Sequence, residues 1–294
     1  MTPRAILGLV RPFTLLAPPV GTLAGALVAV GAVGAGWSWP RVAAAVASGL
    51  LATGASNAWN QAFDAPLDAV NKPSRPIPRG DATVRGAMAL GHGLALLSIA
   101  CGALASVGFL ACVLVGIIGT WVYSAPPLRT KRSALGALVT IAVPRGVLVP
   151  VAGWSVLADP RTAEPWWLGA ISGLFVFGAA ATKDFADMAG DKAHGCVTLP
   201  VLLGPRRAAR VIAPALILPP VGYAVLGWFG ELSAPLPNLV VLSVVLVLGG
   251  VVTAVSLLRS PESLAEGSGN HPAWAGMYLL LLGQHVGTAL AYNL

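Results

Sequence analysis

Apolar runs of about twenty residues recur nine times along this chain, and that length limits what it can become. A helix rises 1.5 Å per residue, so about 20 mostly apolar residues cross the hydrocarbon core of a bilayer. The candidate spans are 13–34, 42–63, 87–106, 107–124, 134–157, 166–183, 210–229, 237–258 and 273–293. The runs 87–106 and 107–124 nearly join, so the boundary between them is the least marked. In lipid every backbone donor and acceptor must be satisfied within the protein, which a helix does by itself. Composition agrees: 56% of residues are apolar and 10% charged, where a soluble domain is about 25% charged. The sequence therefore predicts an all-α membrane protein, one polytopic domain over residues 1–294 built as a bundle of about nine transmembrane helices.

The first apolar run is expected to be a span and not a cleaved signal. It follows Arg4 and Arg11 but runs on into Gly36-Trp-Ser-Trp-Pro40 with no cleavage pattern. The net charge of +7 invites a nucleic-acid reading, yet topology explains it better. With nine spans and a cytoplasmic N-terminus, Arg4, Arg11, Lys72, Arg75, Arg79, Arg85, Arg129, Lys131, Arg132, Lys183, Lys192, Arg206, Arg207, Arg210 and Arg259 all fall on the cytoplasmic side. Only Arg41 and Arg161 face the other side. Such an asymmetry is the positive-inside pattern, and it implies a multi-pass protein of the cell (inner) membrane. Cys101, Cys112 and Cys196 have no metal-ligand or redox spacing and are expected to stay reduced.

The few acidic residues are not scattered. Five of the seven Asp residues lie in Asn60-Gln-Ala-Phe-Asp64-Ala-Pro-Leu-Asp68 and Lys183-Asp184-Phe-Ala-Asp187-Met-Ala-Gly-Asp191, each at the end of an apolar run. An acidic side chain costs roughly 2.5–3.5 kcal/mol at the middle of a membrane helix, and less toward its ends. Clustering adds mutual repulsion. A chain this sparing with charge needs a cation to justify two such clusters, and a divalent metal held this way suits a phosphate-bearing substrate. The i, i+4, i+8 spacing of Asn60, Asp64 and Asp68 puts them on one helical face, as does i, i+3, i+7 for Asp184, Asp187 and Asp191. Pro66 is expected to kink or end the first helix. Two opposed faces of this kind would hold two Mg²⁺ ions with a diphosphate between them. The bland alternative is a set of solvated acids at helix ends, which fits one cluster better than two at matching positions. Their equivalent placement, 120 residues apart, suggests an internal duplication of helices 1–4 and 5–8.

These residues resemble a known family. Asn60-x-x-x-Asp64-x-x-x-Asp68 followed by Asn71-Lys-Pro-Ser-Arg-Pro-Ile-Pro-Arg-Gly80 is similar to the first signature of the UbiA superfamily of intramembrane prenyltransferases. Asp184-x-x-Asp187-x-x-x-Asp191, with Thr198-Leu-Pro200 and Gly204 after it, resembles the second. Tyr123-Ser-Ala-Pro-Pro-Leu-Arg129-Thr-Lys131-Arg132 resembles the family's tyrosine and basic stretch after the fourth helix. The resemblance implies a lipid-accessible cavity inside the bundle. It also implies an isoprenyl diphosphate donor held through Mg²⁺ and a lipophilic acceptor that attacks the allylic carbon. Asp64, Asp68, Asp184, Asp187 and Asp191 would be catalytic and, with Asn60, metal-binding. Asn60, Arg75, Arg79, Tyr123, Lys131, Arg132, Arg145 and Lys183 would bind substrate, although interfacial anchoring accounts equally for several of them.

Arg145 stands apart, inside the fifth apolar run in Val143-Pro-Arg-Gly-Val147, and an intramembrane Arg is a functional candidate unless a carboxylate pairs with it. Arg11, before Pro12, is a weaker one. His92 and His285 read as packed side chains, and His194 and His271 as loop residues. The acceptor is less constrained than the donor. Asn60-Gln61 with Arg145 resembles homogentisate-type enzymes, Tyr123-Ser-Ala-Pro-Pro-Leu chlorophyll synthases, and Asn71-Lys-Pro with Lys183-Asp184 the branch that alkylates geranylgeranylglyceryl phosphate. An aromatic ring leads among these, since quinone-type acceptors dominate the family. A cation-coupled transporter is the rival from another class, because intramembrane acids and duplicated halves also fit one.

Overall fold

The structure is a computed structural model that describes residues 1–266 and 271–294, so part of the polar stretch 259–272 lies outside the described residues. Among the described residues it contains nine long rods. They are α1 (Pro12–Val33, opening with a 3-10 turn), α2 (Trp39–Phe63), α3 (Val84–Ala105), α4 (Val107–Ser124), α5 (Ala134–Ser155), α6 (Glu164–Phe185), α7 (Pro205–Trp228), α8 (Leu236–Arg259) and α9 (Pro272–Asn293). Each candidate span falls on one of them. Seven are long and apolar enough to cross a membrane. The other two, α2 with 25 residues and α9 with 22, are less apolar. Their buried faces carry polar residues: Ser48, Thr53, Asn57 and Gln61 on α2, and Gln284, His285 and Thr288 on α9.

The boundary that the sequence marks least is sharp in space. Ser106 is extended (φ −169°, ψ 163°), and its Oγ accepts the Phe109 N–H at 3.0 Å. That cap supplies one of the donors a helix start leaves unpaired. The rods approach closely where side chains are small. A Cβ on Gly153 of α5 would stand 2.8 Å from Gly25 Cα of α1, so backbone meets backbone there. Ser48 and Ser98 each donate to the other's carbonyl, at 2.8 and 2.9 Å, and lock α2 to α3. Phe175, Phe185, Ile212, Leu216 and Leu257 form the core between α6, α7 and α8. Leu96, Leu104, Ile118, Val245 and Val252 point outward and give the bundle an apolar exterior.

Both acidic segments sit at the same end of the bundle, and each breaks its helix. α2 stops at Phe63, Asp64 takes φ −97° and ψ 8°, and a short helix Ala65–Asn71 begins with Pro66 in its first turn. Proline is tolerated there because that N–H has no helical partner. The second segment departs from expectation. Asp184, Asp187 and Asp191 do not share the face of one helix, because α6 tightens to 3-10 over Ala180–Phe185 and helix resumes only at Met188–Ala193. Asp187 precedes this new helix, where aspartate is favoured over a helix interior. A parallel bridge between Ser133 and Val197, with Val197 N–H donating to Arg132 O at 2.8 Å, ties the segment after α4 to the one after α6.

Candidate active site

The broken helices bring their carboxylates together with cations from three segments. Asp64 accepts from Lys131, from Arg129 at 3.2 Å and from Asn60 at 2.8 Å. Asn60 also donates to Ser124 Oγ at 3.3 Å. Asp68 is gripped by Arg75, whose Nη1 lies 2.6 and 2.5 Å from its two oxygens. Asp184 accepts from Lys183 at 2.5 Å, and Lys183 donates to the Tyr123 hydroxyl at 3.2 Å. Lys72 donates to Asp187 Oδ2 at 2.7 Å, and Asn71 donates to the Asp187 carbonyl at 3.3 Å. The stretch after the first cluster therefore fastens the second. Gly190 permits this, since a Cβ there would run into the Asn71 side chain. Asp191 receives one long bond, from Thr198 at 3.3 Å.

Burial shapes the charges. Asp64, Asp68, Asp184 and Asp191 are all buried, as is Lys131. Burial raises the Asp68 carboxyl, an effect that Arg75 opposes. Asp191 is pushed up to about 7, first by burial and then by Asp184 and Asp187. The Lys131 ammonium is pushed down by burial while Asp64 pulls it back. A buried ion pair yields little net stability but is costly to split. This end of the bundle thus sets Asp64, Asp68, Asp184 and Asp187 each against a cation, and Asp191 against the Thr198 hydroxyl.

Several expected residues lie elsewhere. Arg79 is exposed and pairs with Asp81 at 2.5 Å instead of joining the carboxylates. Arg132 is exposed too, and its side chain makes no hydrogen bond or ion pair among the described residues; the chain reverses at Arg129 (φ 38°) and Lys131 alone of the pair points inward. Arg145 is also away from the carboxylates. It occupies a π-helical segment, Val143–Val147, where Pro144 interrupts α5, and it makes no ion pair or hydrogen bond among the described residues. It lines a cavity of about 100 Å³ between α1, α2, α4 and α5, with Thr22, Thr53, Ser56, Phe109 and Leu148 on the other walls. His285 is buried, and His92, though exposed, packs its ring against Trp59 and Trp121 at centroid separations of 5.5 and 5.6 Å, with Nδ1 2.8 Å from Met88 O. All three cysteines are free.

Sequence reasoning missed Lys72, Arg129, Asn71, Ser124 and Thr198. Lys72 and Arg129 had been counted as topology charges. A signal was present for Lys72, four residues beyond Asp68 on the same polar stretch. Ser124 and Thr198 lie inside the quoted motifs, but their residue types gave no reason to assign them a role.

The donor set fits a hard cation. The carboxylates and Asn60 offer only oxygen, which suits Mg²⁺. One buried oxygen, Asp187 Oδ1, takes no hydrogen bond although Lys72 lies 2.5 Å away. No three Asp, Glu, His or Cys side chains converge into a ready metal cage among the described residues. Mg²⁺ does not require one, because it typically takes one or two carboxylates and completes its shell with water and substrate phosphate.

Comparison with known proteins gives the same picture. The profile of the UbiA prenyltransferase family matches residues 19–269. The chain is 33% identical over 220 residues to the bacteriochlorophyll synthase 33 kDa chain of Cereibacter sphaeroides, covering 74% of this chain and 72% of that one. It is 35% identical over 249 residues to the digeranylgeranylglyceryl phosphate synthase of Halobacterium salinarum, covering 83% and 87%. The fold is similar to that of a UbiA homologue from Archaeoglobus fulgidus solved with GPP and Mg²⁺, with a TM-score of 0.78 and 18% identity over 99% of this chain and 100% of that one. The transporter reading finds no support among these relatives.

Proposed function

The chain belongs to the UbiA prenyltransferase family, and from that premise we propose that it moves a prenyl group from an isoprenyl diphosphate to a lipophilic acceptor at the bundle end where its carboxylates meet. One observation carries this reading: five buried or half-buried aspartates, each but Asp191 matched by a cation, at the end of an apolar bundle that contains a cavity. Asp64, Asp68, Asp184, Asp187 and Asp191, with Asn60, are the residues that would hold Mg²⁺. The metal, when bound, neutralises the diphosphate and stabilises the charge that builds on it as a leaving group.

Lys72, Arg75, Arg129, Lys131 and Lys183 then supply charge-assisted bonds to phosphate oxygens, and Tyr123 offers its hydroxyl. The allylic C–O bond breaks with its electron pair leaving on the diphosphate. The apolar walls keep water from the cationic prenyl carbon. The acceptor's nucleophile forms the new bond to that carbon; a hydroxyl gives up its proton in doing so, whereas a carboxylate has none to lose.

An aromatic acceptor led on motif resemblance alone. The relatives at 33–35% identity favour the two alternatives, so we take the acceptor to be of the chlorophyllide or geranylgeranylglyceryl phosphate class, each bearing an anionic oxygen group. The concentration of Lys and Arg at the acidic end supports a cytoplasmic location for it. The test is incubation of the purified protein with labelled prenyl diphosphates and candidate acceptors, with and without Mg²⁺. Prenylated product that disappears in EDTA and returns with Mg²⁺ is expected. Full turnover in EDTA, or no product from any pair, would sink the proposal.

A further inference from the structure

Polar side chains inside a membrane bundle need partners there, because lipid offers none. α9 buries three of them, Gln284, His285 and Thr288. Thr288 has partners: its hydroxyl lies 2.6 Å from Gln284 O and 2.9 Å from the Tyr223 hydroxyl on α7. A threonine hydroxyl has one proton and can donate to only one of them. Whichever way that proton points, the Tyr223 hydroxyl keeps a donor or an acceptor to spare. Two neighbouring groups are not satisfied at all. Ser172 Oγ on α6 is buried with no hydrogen bond, and the His285 ring makes none among the described residues.

These groups line one cavity. It lies between α1, α5, α6, α7 and α9, and about 20 Å³ of it is open to the centre of a water molecule. Ser172, Tyr223, His285 and Thr288 are its polar lining, at 1%, 2%, 5% and 6% exposure. Gly21 leaves room on the facing wall, where a Cβ would stand 3.0 Å from His285 Nε2. The cavity is deep. Ser172 lies 13 residues before Phe185 on α6, and His285 lies 13 residues after Pro272 on α9. At 1.5 Å per residue each is about 20 Å from the acidic end of the bundle.

We propose that this cavity is a built site for a single internal water, which bonds to Ser172 Oγ, the His285 ring and the Tyr223 hydroxyl and so joins α6, α7 and α9 within the membrane. A water needs at least about 10–15 Å³ of such space and two to four polar partners, and the cavity supplies both. The chemistry matches as well. A serine hydroxyl and a neutral imidazole each offer a donor and an acceptor, and water can answer either. A lipid methyl group would fill the space but leave all three polar groups unpaired, which is costly in an apolar setting. A metal ion would find one imidazole and no carboxylate among the lining residues. The water also gives a physical reason for polar residues on a span that could have been wholly apolar.

The test is a density map of the full chain in a lipid nanodisc, at a resolution that shows ordered water, with thermal unfolding of two variants. The map should show a discrete peak within hydrogen-bond distance of Ser172 Oγ and a His285 ring nitrogen. Ser172→Ala should lower Tm by about 2–4 °C, because the water stays with one partner fewer. Ser172 and His285 share no direct hydrogen bond, so their coupling runs through the water. Adding His285→Leu to Ser172→Ala should therefore cost less than the sum of the two single losses. In a dry cavity Ser172→Ala would only delete an unpaired hydroxyl, and Tm would hold or rise; that result, or additive losses, would overturn the proposal. The map of the parent needs no variant and keeps the test decisive if either substitution folds poorly. No peak, or density that runs out of the cavity as a chain, would overturn the proposal too.

Discussion

Replacing Asp64 with Ala tests whether this end of the bundle is a set of matched buried charges. Lys131 is 7% exposed and Asp64 is 6% exposed. The ammonium has Asp64 as its one hydrogen-bond acceptor among the described residues, with the Tyr123 ring centroid 6.0 Å away. Asp64→Ala strands that ammonium beside Arg129, and splitting a buried pair costs about 3–5 kcal/mol. Adding Lys131→Met removes the stranded charge, and apolar replacement of a buried pair is often neutral. The double variant should recover at least about 2 kcal/mol of the loss while turnover stays abolished in both. pH gives a second readout. Burial holds the folded Lys131 below its ordinary 10.5, so between those values the unfolded chain binds more protons and stability rises with pH. Asp64→Ala removes the charge that pulls Lys131 back up, so the variant's ammonium lies lower than the parent's and the deficit should narrow as pH rises toward the unfolded value. Reversible unfolding in mixed detergent, run alongside product formation, measures both quantities. A loss under about 1 kcal/mol, or no recovery in the double variant, would refute the matched-charge argument. Intact turnover would remove Asp64 from the site.

The remaining predictions concern topology, titration and packing. With Cys101, Cys112 and Cys196 replaced, cysteines introduced at Lys72 and Asn293 should label from opposite sides of the membrane; labelling from one side would mean the span count is wrong. Asp191, raised to about 7 by burial, is protonated in the folded chain over a window where the unfolded chain is ionised. Metal-free stability should therefore fall as pH rises from about 4 to 7, protection by Mg²⁺ should grow across pH 7, and Asp191→Asn should flatten both trends. Gly153→Val should lose about 1–3 kcal/mol in thermal unfolding, because its Cβ would stand 2.8 Å from Gly25 Cα; a change within about 0.5 kcal/mol would contradict the close contact of α1 with α5.

The length of the apolar runs was enough to place every rod, because lipid leaves a chain few options beyond helices of sufficient length. Residue type and spacing were enough to identify the acids, since a carboxylate in this setting is too costly to occur without reason. Pro66 announced the break after Asp64 for a local steric cause. Tertiary structure decided the rest. Asp184, Asp187 and Asp191 look helical in one dimension, yet the break at Asp187 depends on where Asn71 and Lys72 cross over from the other cluster. Arg79 and Arg75 are four residues apart in one motif, but only Arg75 meets a buried carboxylate. Lys131 and Arg132 are adjacent, and the turn at Arg129 sends only one of them inward. The sequence can count charges, but which charge neutralises which depends on distances of a few ångströms between segments 50–120 residues apart, and those are set only when the helices pack.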